Sequence, residues 1–172
     1  TIVALLCMLL AADNGYQSCL MAPTEILAQQ HYQSLSKLLE GTGLTIQLLT
    51  GSSKAKGRKI ILQGLLDHSI HFVVGTHALI EDVVQFKNLG FVVVDEQHRF
   101  GVAQRAALWK KAVIPPHVLV MTATPIPRTL AMTAYGDLDY SVMDELPPGR
   151  QVIKTVHRNE MQRMQVMEFI RS

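Results

Sequence analysis

Two adjacent acids, Asp95 and Glu96, follow the most strand-like stretch of the sequence, Phe91–Val94. That stretch is unbroken, apolar and rich in β-branched residues, which predicts a strand covered on both faces. Two carboxylates at the end of such a strand are costly to bury without a cation or water. Bound Mg²⁺ would remove that cost, with one acid holding the metal and the other orienting a water for attack on a phosphate. The alternative is a strand that ends in a polar loop, and the dipeptide alone leaves both interpretations open.

A second polar group follows the apolar stretch Val118–Met121. Thr122 and Thr124 place two hydroxyls one residue apart, held by two prolines and followed by Arg128. This pattern predicts a rigid polar hook beside the acidic pair. It is equally typical of a helix cap with a proline-led first turn, and the two interpretations are compatible.

Three further turns carry hydroxyl groups after predicted strands. Each offers free backbone N–H groups at a helix start, where a phosphate oxygen could bind. One such turn is only a cap, but three along one sheet edge predict a track for a sugar-phosphate backbone. Four basic residues within 54–59 form either a solvated helix face or phosphate contacts. The turn residues are Pro23, Thr24, Thr50, Gly51, Gly75 and Thr76.

Short apolar strands alternate with amphipathic helices along the chain. This predicts an α/β fold with a mainly parallel sheet and helices on both faces. Ligands of such sheets bind beyond the carboxyl ends of the strands, which is where the polar residues above lie. The predicted strands cover residues 18–22, 44–49, 71–74, 91–94, 118–121 and, weakly, 140–143. The predicted helices cover 2–12, 24–40, 53–66, 78–84, 104–112 and 128–134.

The pattern restarts after residues 147–150. A strand over 152–156 and a helix over 159–170, capped by Asn159, are predicted there. We therefore expect a first domain over residues 1–146, a hinge at 147–150 and the opening elements of a second domain over 151–172. The first helix is apolar on nearly all sides, so we expect it in the interior of a layered fold.

Composition excludes several classes of protein. The 172 residues are 48% apolar and 17% charged, with a formal net charge of +2, which argues against a disordered polyelectrolyte and gives no sign of nucleic-acid binding by itself. The two cysteines, Cys7 and Cys19, have no metal-ligand spacing. The longest apolar run is about half of a bilayer span. We expect a soluble cytoplasmic protein.

Five segments, in this order and spacing, resemble motifs of the first motor domain of superfamily-two helicases. Among these the resemblance is to RecG-type enzymes, which are ATP-dependent helicases of branched DNA in repair and recombination. Gln97 and Pro147–Gly149 favour this type over the transcription-repair coupling translocases, which remain the related alternative. The five segments are Met21–His31, Leu48–Gly51, Val74–His77, Val94–Gly101 and Met121–Arg128.

The resemblance implies a RecA-like fold that binds ATP and Mg²⁺. Thr1 would be the terminal hydroxyl residue of the phosphate loop, and Thr1 and Asp95 would be ligands of Mg²⁺. Glu96 would position and activate the hydrolytic water and complete the ATP site. Gln97 and His98 would sense the γ-phosphate.

The resemblance also implies how DNA is held and moved. Thr122, Thr124 and Arg128 would couple hydrolysis to movement. The residues that would touch the DNA backbone without identifying bases are Pro23, Thr24, Thr50, Gly51, Gly75 and Thr76.

The chain lacks the glycines and lysine of the phosphate loop and the strand that precedes them in the family. We therefore expect no measurable ATP hydrolysis by this chain alone. We also expect a gap inside the sheet, with unpaired ladder groups. Two other functions remain open: a catalytically silent DNA- or nucleotide-binding module, and a different phosphate enzyme that uses Asp95 and Glu96 on a small nucleotide.

Overall fold

The structure is a computed structural model that describes residues 1–96, 111–112, 114–123, 139, 141–145, 149–151, 153 and 155–171. The chain forms two compact units, Thr1–Ile126 and Pro127–Ser172. The first unit contains a sheet and its covering helices. Its elements are α1 (Ile2–Asp13), β1 (Gln17–Met21), α2 (Glu25–Leu38), β2 (Ile46–Leu49), α3 (Ala55–Asp67), β3 (Phe72–Gly75), a 3₁₀ helix (His77–Ile80), β4 (Leu89–Asp95) and β5 (His117–Met121).

The five strands form one parallel sheet in the order β2-β3-β1-β4-β5. All five were predicted, with ends that differ by at most two residues, and the α/β prediction is confirmed. The expected gap inside the sheet is absent from these described strands. The reason is that β1 pairs directly with both β3 and β4, while β5 pairs with β4 at the end of the order.

Helices cover both faces of the sheet. On one face, α1 and α2 bury Leu5, Met8 and Leu35 against the sheet residues Leu20 and Phe72. On the other face, α3 buries Ile61 and Leu65 against Cys19 and Val73. Burial also raises the pKa of the Cys19 thiol to about 12, so this cysteine behaves as an apolar core residue.

The helix α1 is less enclosed than its composition predicts. Only Ala4, Leu5 and Met8 are buried, because a single face of the helix contacts β1 and β4. Leu6 and Leu10 stay 61% and 67% exposed. The expectation of an interior helix is therefore wrong for the described residues.

The helix predicted over 78–84 is also different in the structure. A 3₁₀ turn covers His77–Ile80 and stops there. The chain beyond it is held instead by Lys111, whose Nζ donates to the carbonyl oxygens of Glu81 and Val84 at 2.7 and 2.9 Å. The backbone leaves the helical region at Glu81, where ψ is 140°, and Lys111 supplies the donor for these two carbonyls of the loop.

The second unit is described by itself. A 3₁₀ turn at Glu160–Gln162 leads into α4 (Arg163–Arg171), and Asn159 caps them through a capping box with Gln162, which confirms the predicted helix and its cap. The described residues within 141–143 and 152–156 form no strand, so these two strand predictions are not borne out there. A strand needs a hydrogen-bonded neighbour, and the described part of this unit offers none.

No described helix combines the length and apolar character that a membrane crossing requires.

Candidate functional site

Because all five strands are parallel, the turns that follow them lie along one edge of the sheet. The acidic pair at the end of β4 lies between the turn after β1, which starts at Pro23, and the turn after β5, which starts at Thr122. The turns after β3 and β2 continue the row on the other side of β1. The predicted gathering of polar residues at one edge is therefore present.

Glu96 leaves the sheet in an unusual backbone conformation. Its φ is +51°, in the left-handed region where a residue with a side chain costs roughly 1–3 kcal/mol. Its N–H still donates to the carbonyl of Met121 at 2.8 Å, so the residue stays tied to β5. The turn aims the carboxylate at the next strand's end, where the Thr122 hydroxyl donates to Oε2 at 3.1 Å and the Ala123 N–H faces Oε1 at 3.4 Å. The predicted hook beside the acids is confirmed for Thr122.

Asp95 points in another direction, toward α2. Its Oδ2 lies 2.7 Å from Nε2 of His31, and the two side chains are 17% and 13% exposed. An ionised carboxylate can only accept, so in this contact the imidazole nitrogen is the donor. His31 ends the first of the five helicase-like segments, Met21–His31, but the sequence predicted no role for it. No local pattern marks it, because its partner lies 64 residues further along the chain.

Thr1 precedes the first residue of α1, is exposed, and makes no capping hydrogen bond through its side chain. The helix runs back along the sheet to a short turn before β1, so its N-terminal end lies at the same edge as Asp95. A threonine hydroxyl and a carboxylate are the hard oxygen ligands that Mg²⁺ prefers, and these residues fit such an ion. Within the described part of the chain, no three His, Cys, Asp or Glu side chains form a complete metal cluster.

The turns after β1 and β2 are joined by Glu25. Its carboxylate accepts from the Ser52 backbone N–H at 3.1 Å and from the Ser52 hydroxyl at 2.7 Å. These hydrogen bonds hold the pKa of the Glu25 carboxyl below its usual value. The N–H of Thr50 donates to the Ser53 hydroxyl at 2.9 Å. The backbone N–H groups of this turn were expected to be free, but those of Thr50, Ser52 and Ser53 are already engaged by the protein.

The six predicted DNA-contact residues differ in exposure. Pro23, Thr24 and Gly51 reach the surface at least in part, and Thr24 caps α2 by accepting from the N–H of Leu27 at 3.3 Å. A methyl group on Gly51 would lie 3.5 Å from Glu25 Oε1 and 4.0 Å from the His77 ring, so the turns after β1, β2 and β3 adjoin.

The other three DNA-contact predictions fall on buried residues: Thr50, Gly75 and Thr76. A methyl group on Gly75 would lie 2.1 Å from the carbonyl oxygen of Leu49, so strand packing alone demands glycine there. The Thr76 hydroxyl is buried and makes no hydrogen bond to the described residues. The basic stretch 54–59 is mostly solvated, with Arg58 paired to Glu81.

Four predicted site residues lie outside the described part of the chain: Gln97, His98, Thr124 and Arg128.

Comparison with known proteins adds an independent finding to this geometry. The model of the DEAD/DEAH box helicase family matches residues 1–133. A relative from Aquifex aeolicus, "ATP-dependent DNA helicase RecG", is 53% identical over 171 residues, which cover 99% of this chain and 22% of that protein. The protein of the same name from Escherichia coli K12 is 47% identical over 99% of this chain and 25% of its own length.

Solved structures are similar as well. A structure of RecG bound to a three-way DNA junction matches 99% of this chain and 23% of its own, with a TM-score of 0.81 and 41% identity. The helicase Lhr of Mycobacterium smegmatis, bound to single-stranded DNA and AMP-PNP, matches 69% of this chain and 16% of its own, with a TM-score of 0.53 and 20% identity. The second likeness concerns the fold alone.

The fold is the RecA-like α/β fold, and the chain belongs to the DEAD/DEAH box helicase family. Within superfamily two it is of the RecG type, so the predicted resemblance is confirmed. The chain spans between a fifth and a quarter of the length of the curated relatives that it matches.

Proposed function

We propose that this chain is the first motor domain of an ATP-dependent DNA helicase that remodels branched DNA. Residues 1–146 would form this domain, 147–150 a hinge, and 151–172 the start of a second motor domain. The proposal is supported by relatives named ATP-dependent DNA helicase RecG and by the similarity to a solved structure of RecG bound to a three-way DNA junction. A helicase that acts on chromosomal DNA would work in the cytoplasm of a bacterium.

The observation that carries the proposal is the divergence of the two acids at the end of β4. Asp95 and Glu96 are adjacent in sequence, yet one carboxylate faces α2 and the other faces the turn after β5. Two carboxylates in different environments can take different roles. The left-handed backbone at Glu96 lies at the point where the two acids diverge, and strained residues of this kind cluster at functional sites.

Asp95 and the hydroxyl of Thr1 would hold the magnesium ion that accompanies ATP. When bound, this ion supplies charge neutralisation at the β- and γ-phosphates. Glu96 would orient the attacking water and take its proton on the carboxylate, as the water oxygen bonds to the γ-phosphorus and the bond to the leaving ADP oxygen breaks. Thr122 and Ala123 would fix the direction of that carboxylate through the contacts to Oε2 and Oε1.

The same contacts would couple ATP hydrolysis to movement of the motor domains. Thr122 donates to Glu96, so a change at the carboxylate would be felt at the end of β5. Thr124 and Arg128, which follow in the chain, would pass this change on, and Gln97 and His98 would respond to the γ-phosphate. Closure on ATP and opening after hydrolysis would then move the DNA relative to the two motor domains.

The turns after β1, β2 and β3 would hold the DNA backbone. Pro23, Thr24 and Gly51 would make the contacts at the surface, while Thr50, Gly75 and Thr76 would shape the turns from beneath. Contacts to phosphates supply affinity and allow tracking without base specificity. DNA would be the track along which the domains move, and ATP the substrate that is cleaved.

The decisive experiment replaces Glu96 by glutamine in the full-length protein that carries this segment. We expect the ATPase rate on a three-way DNA junction to fall about 10²–10⁴-fold, because the water loses its base, while ATP binding persists. Phosphate release and nucleotide affinity are the measurements.

Glu40→Gln is the matched control for this substitution. Glu40 is exposed and follows the end of α2, at the opposite edge of the sheet. It should leave the ATPase rate unchanged. An undiminished rate in the Glu96→Gln protein would overturn the proposed function.

A further inference from the structure

The contact between His31 and Asp95 has no part in the function proposed so far. Its two polar atoms are 2.7 Å apart, and both side chains are largely buried. The contact uses only Oδ2 of the carboxylate. No described residue donates a hydrogen bond to Oδ1.

His31 stands on a firmly anchored part of α2. Ala28, three residues before it, and Leu35, four residues after it, are both completely buried against the sheet. Residues at these spacings share one helix face, so the backbone at His31 is held on both sides. An imidazole ring has only two side-chain torsions, and its donor is therefore well fixed in space.

A carboxylate that binds a metal needs such a fixed partner. Rotation about the side-chain torsions of Asp95 would otherwise exchange the two oxygens and move them away from the ion. Groups that hydrogen-bond to a metal ligand commonly change metal affinity by about 10–100-fold. Asp95 ends β4, and the two described residues that follow β5, Thr122 and Ala123, face Glu96 and not Asp95.

We infer that His31 is a positioning residue, whose Nε2–H holds Oδ2 of Asp95 so that Oδ1 faces the magnesium site. This inference rests on the proposed function, because it assigns Asp95 to the metal. It adds to the site a side chain from α2, an element that otherwise contributes its capped first turn to the proposed DNA track. His31 would thus act through Asp95 and not on ATP itself.

Two substitutions with side chains of equal length separate the effect of the hydrogen-bond donor from the effect of the space that the side chain fills. In His31→Gln the amide nitrogen stands as many bonds from Cβ as Nε2 does, so the donor is retained. In His31→Met a side chain of the same length has no donor. Both variants are made in the full-length protein, with thermal melting of the metal-free proteins as the check on folding.

The measurement is the affinity for Mn²⁺, used as a paramagnetic substitute for Mg²⁺, in the presence of a non-hydrolysable ATP analogue. We expect Mn²⁺ to bind about tenfold more weakly, or worse, to His31→Met, and within about threefold of the unsubstituted affinity to His31→Gln. The half-saturating Mg²⁺ concentration for ATP hydrolysis should shift in parallel, while kcat at saturating Mg²⁺ changes much less. Gln30→Ala, at an exposed neighbouring position on α2, should change neither quantity.

Unchanged Mn²⁺ affinity in His31→Met would overturn the inference, and so would an affinity in His31→Gln as weak as in His31→Met. If His31→Met does not fold, His31→Asn replaces it, because its amide stops one bond short of the carboxylate and should weaken Mn²⁺ binding in the same way. A failure of the unsubstituted protein to bind Mn²⁺ with nucleotide would be a different result. It would overturn the proposed function and not only the role of His31.

Discussion

His71 directly precedes β3. Its ring nitrogen Nδ1 accepts a hydrogen bond, so this nitrogen must remain unprotonated. The N–H of Thr45 donates to Nδ1 of His71 at 3.1 Å, and the carbonyl of Thr45 accepts from the backbone N–H of His71 at 3.0 Å. Burial, with a smaller contribution from the charge of His68, lowers the pKa of His71 below its usual value of 6.5. The folded chain therefore favours the neutral ring.

The pH dependence of stability follows from the lowered pKa of His71 in the folded chain. As pH falls below 6.5, the unfolded chain gains a proton at His71 more readily than the folded chain does, so the free energy of unfolding decreases. The loss stops below the lowered pKa of the folded state. We expect the urea midpoint of the 172-residue chain to be lower at pH 5.5 than at pH 7.5, and His71→Asn to reduce that difference, because its amide oxygen accepts from Thr45 and does not titrate.

His68→Asn is the matched control. It also removes one histidine, and asparagine tolerates the left-handed backbone that His68 adopts at φ +71°. Most of the pH dependence should persist in this variant. Equal pH dependence in the unsubstituted and His71→Asn chains would contradict the assigned cause.

The individual site residues were predictable to different extents. Asp95, Glu96 and Thr122 could be found because each follows a strongly apolar strand, and parallel strands end at one edge. His31 and Glu25 could not, since their partners lie 64 and 27 residues away and the contacts depend on how helix α2 is oriented on the sheet. The divergence of the two acids also required the structure, because no sequence pattern predicts positive φ at a glutamate.

At the scale of elements, Gln17 ties three of them together where β1 begins. Its side chain is completely buried, yet Nε2 donates to the carbonyls of Leu65 and Ile70 at 2.9 and 2.8 Å. Its Oε1 accepts from the N–H of Asn88 at 2.9 Å. The end of α3, the approach to β3 and the approach to β4 therefore meet at one amide.

Replacing Gln17 by leucine should destabilise the chain by about 2–4 kcal/mol. The apolar volume is similar, but the carbonyl of Ile70 and the N–H of Asn88 lose their partner, and the carbonyl of Leu65 keeps only the N–H of Lys87. Chemical unfolding of the 172-residue chain measures the change. Gln85→Leu is the matched control, because that glutamine is exposed and should change stability by no more than about 0.5 kcal/mol. Similar losses in both variants would show that the network at Gln17 contributes little.

The elements themselves were largely predictable. The period of apolar residues and the cap at Thr24 predicted the bounds of the strands of the first unit and of α2 to within two residues, because these signals are local. The helix expected over 78–84 stops at Ile80, and the carbonyls of the loop that follows are bound by Lys111, about thirty residues further along the chain, a contact that no local pattern indicates. The exposure of α1 could not be predicted either, because an evenly apolar helix does not indicate which of its faces meets the sheet.

At the scale of the whole molecule, this segment should not hydrolyse ATP by itself. The 172 residues contain no Gly-x-x-x-x-Gly-Lys-Ser/Thr phosphate loop, and the lysine of that loop neutralises charge on the β- and γ-phosphates. We expect phosphate release by the 172-residue chain, with a three-way DNA junction present, to equal that of its Glu96→Gln variant. The full-length protein is the positive control. Turnover that depends on Glu96 and on DNA in the short chain would contradict this expectation.

The sheet of the first unit has two edges at the ends of its strands: one carries the two acids and the three turns, and the opposite one carries none of these residues. The loop between α2 and β2 lies at the second of these, where residues 40–43 are all exposed and Gly41 and Gly43 adopt positive φ. A fluorescent dye attached in this loop would sit a full strand length from the acids and the three turns. A dye at this position would therefore report the movement of this domain in single-molecule recordings without contacting the residues that are proposed to bind ATP and DNA.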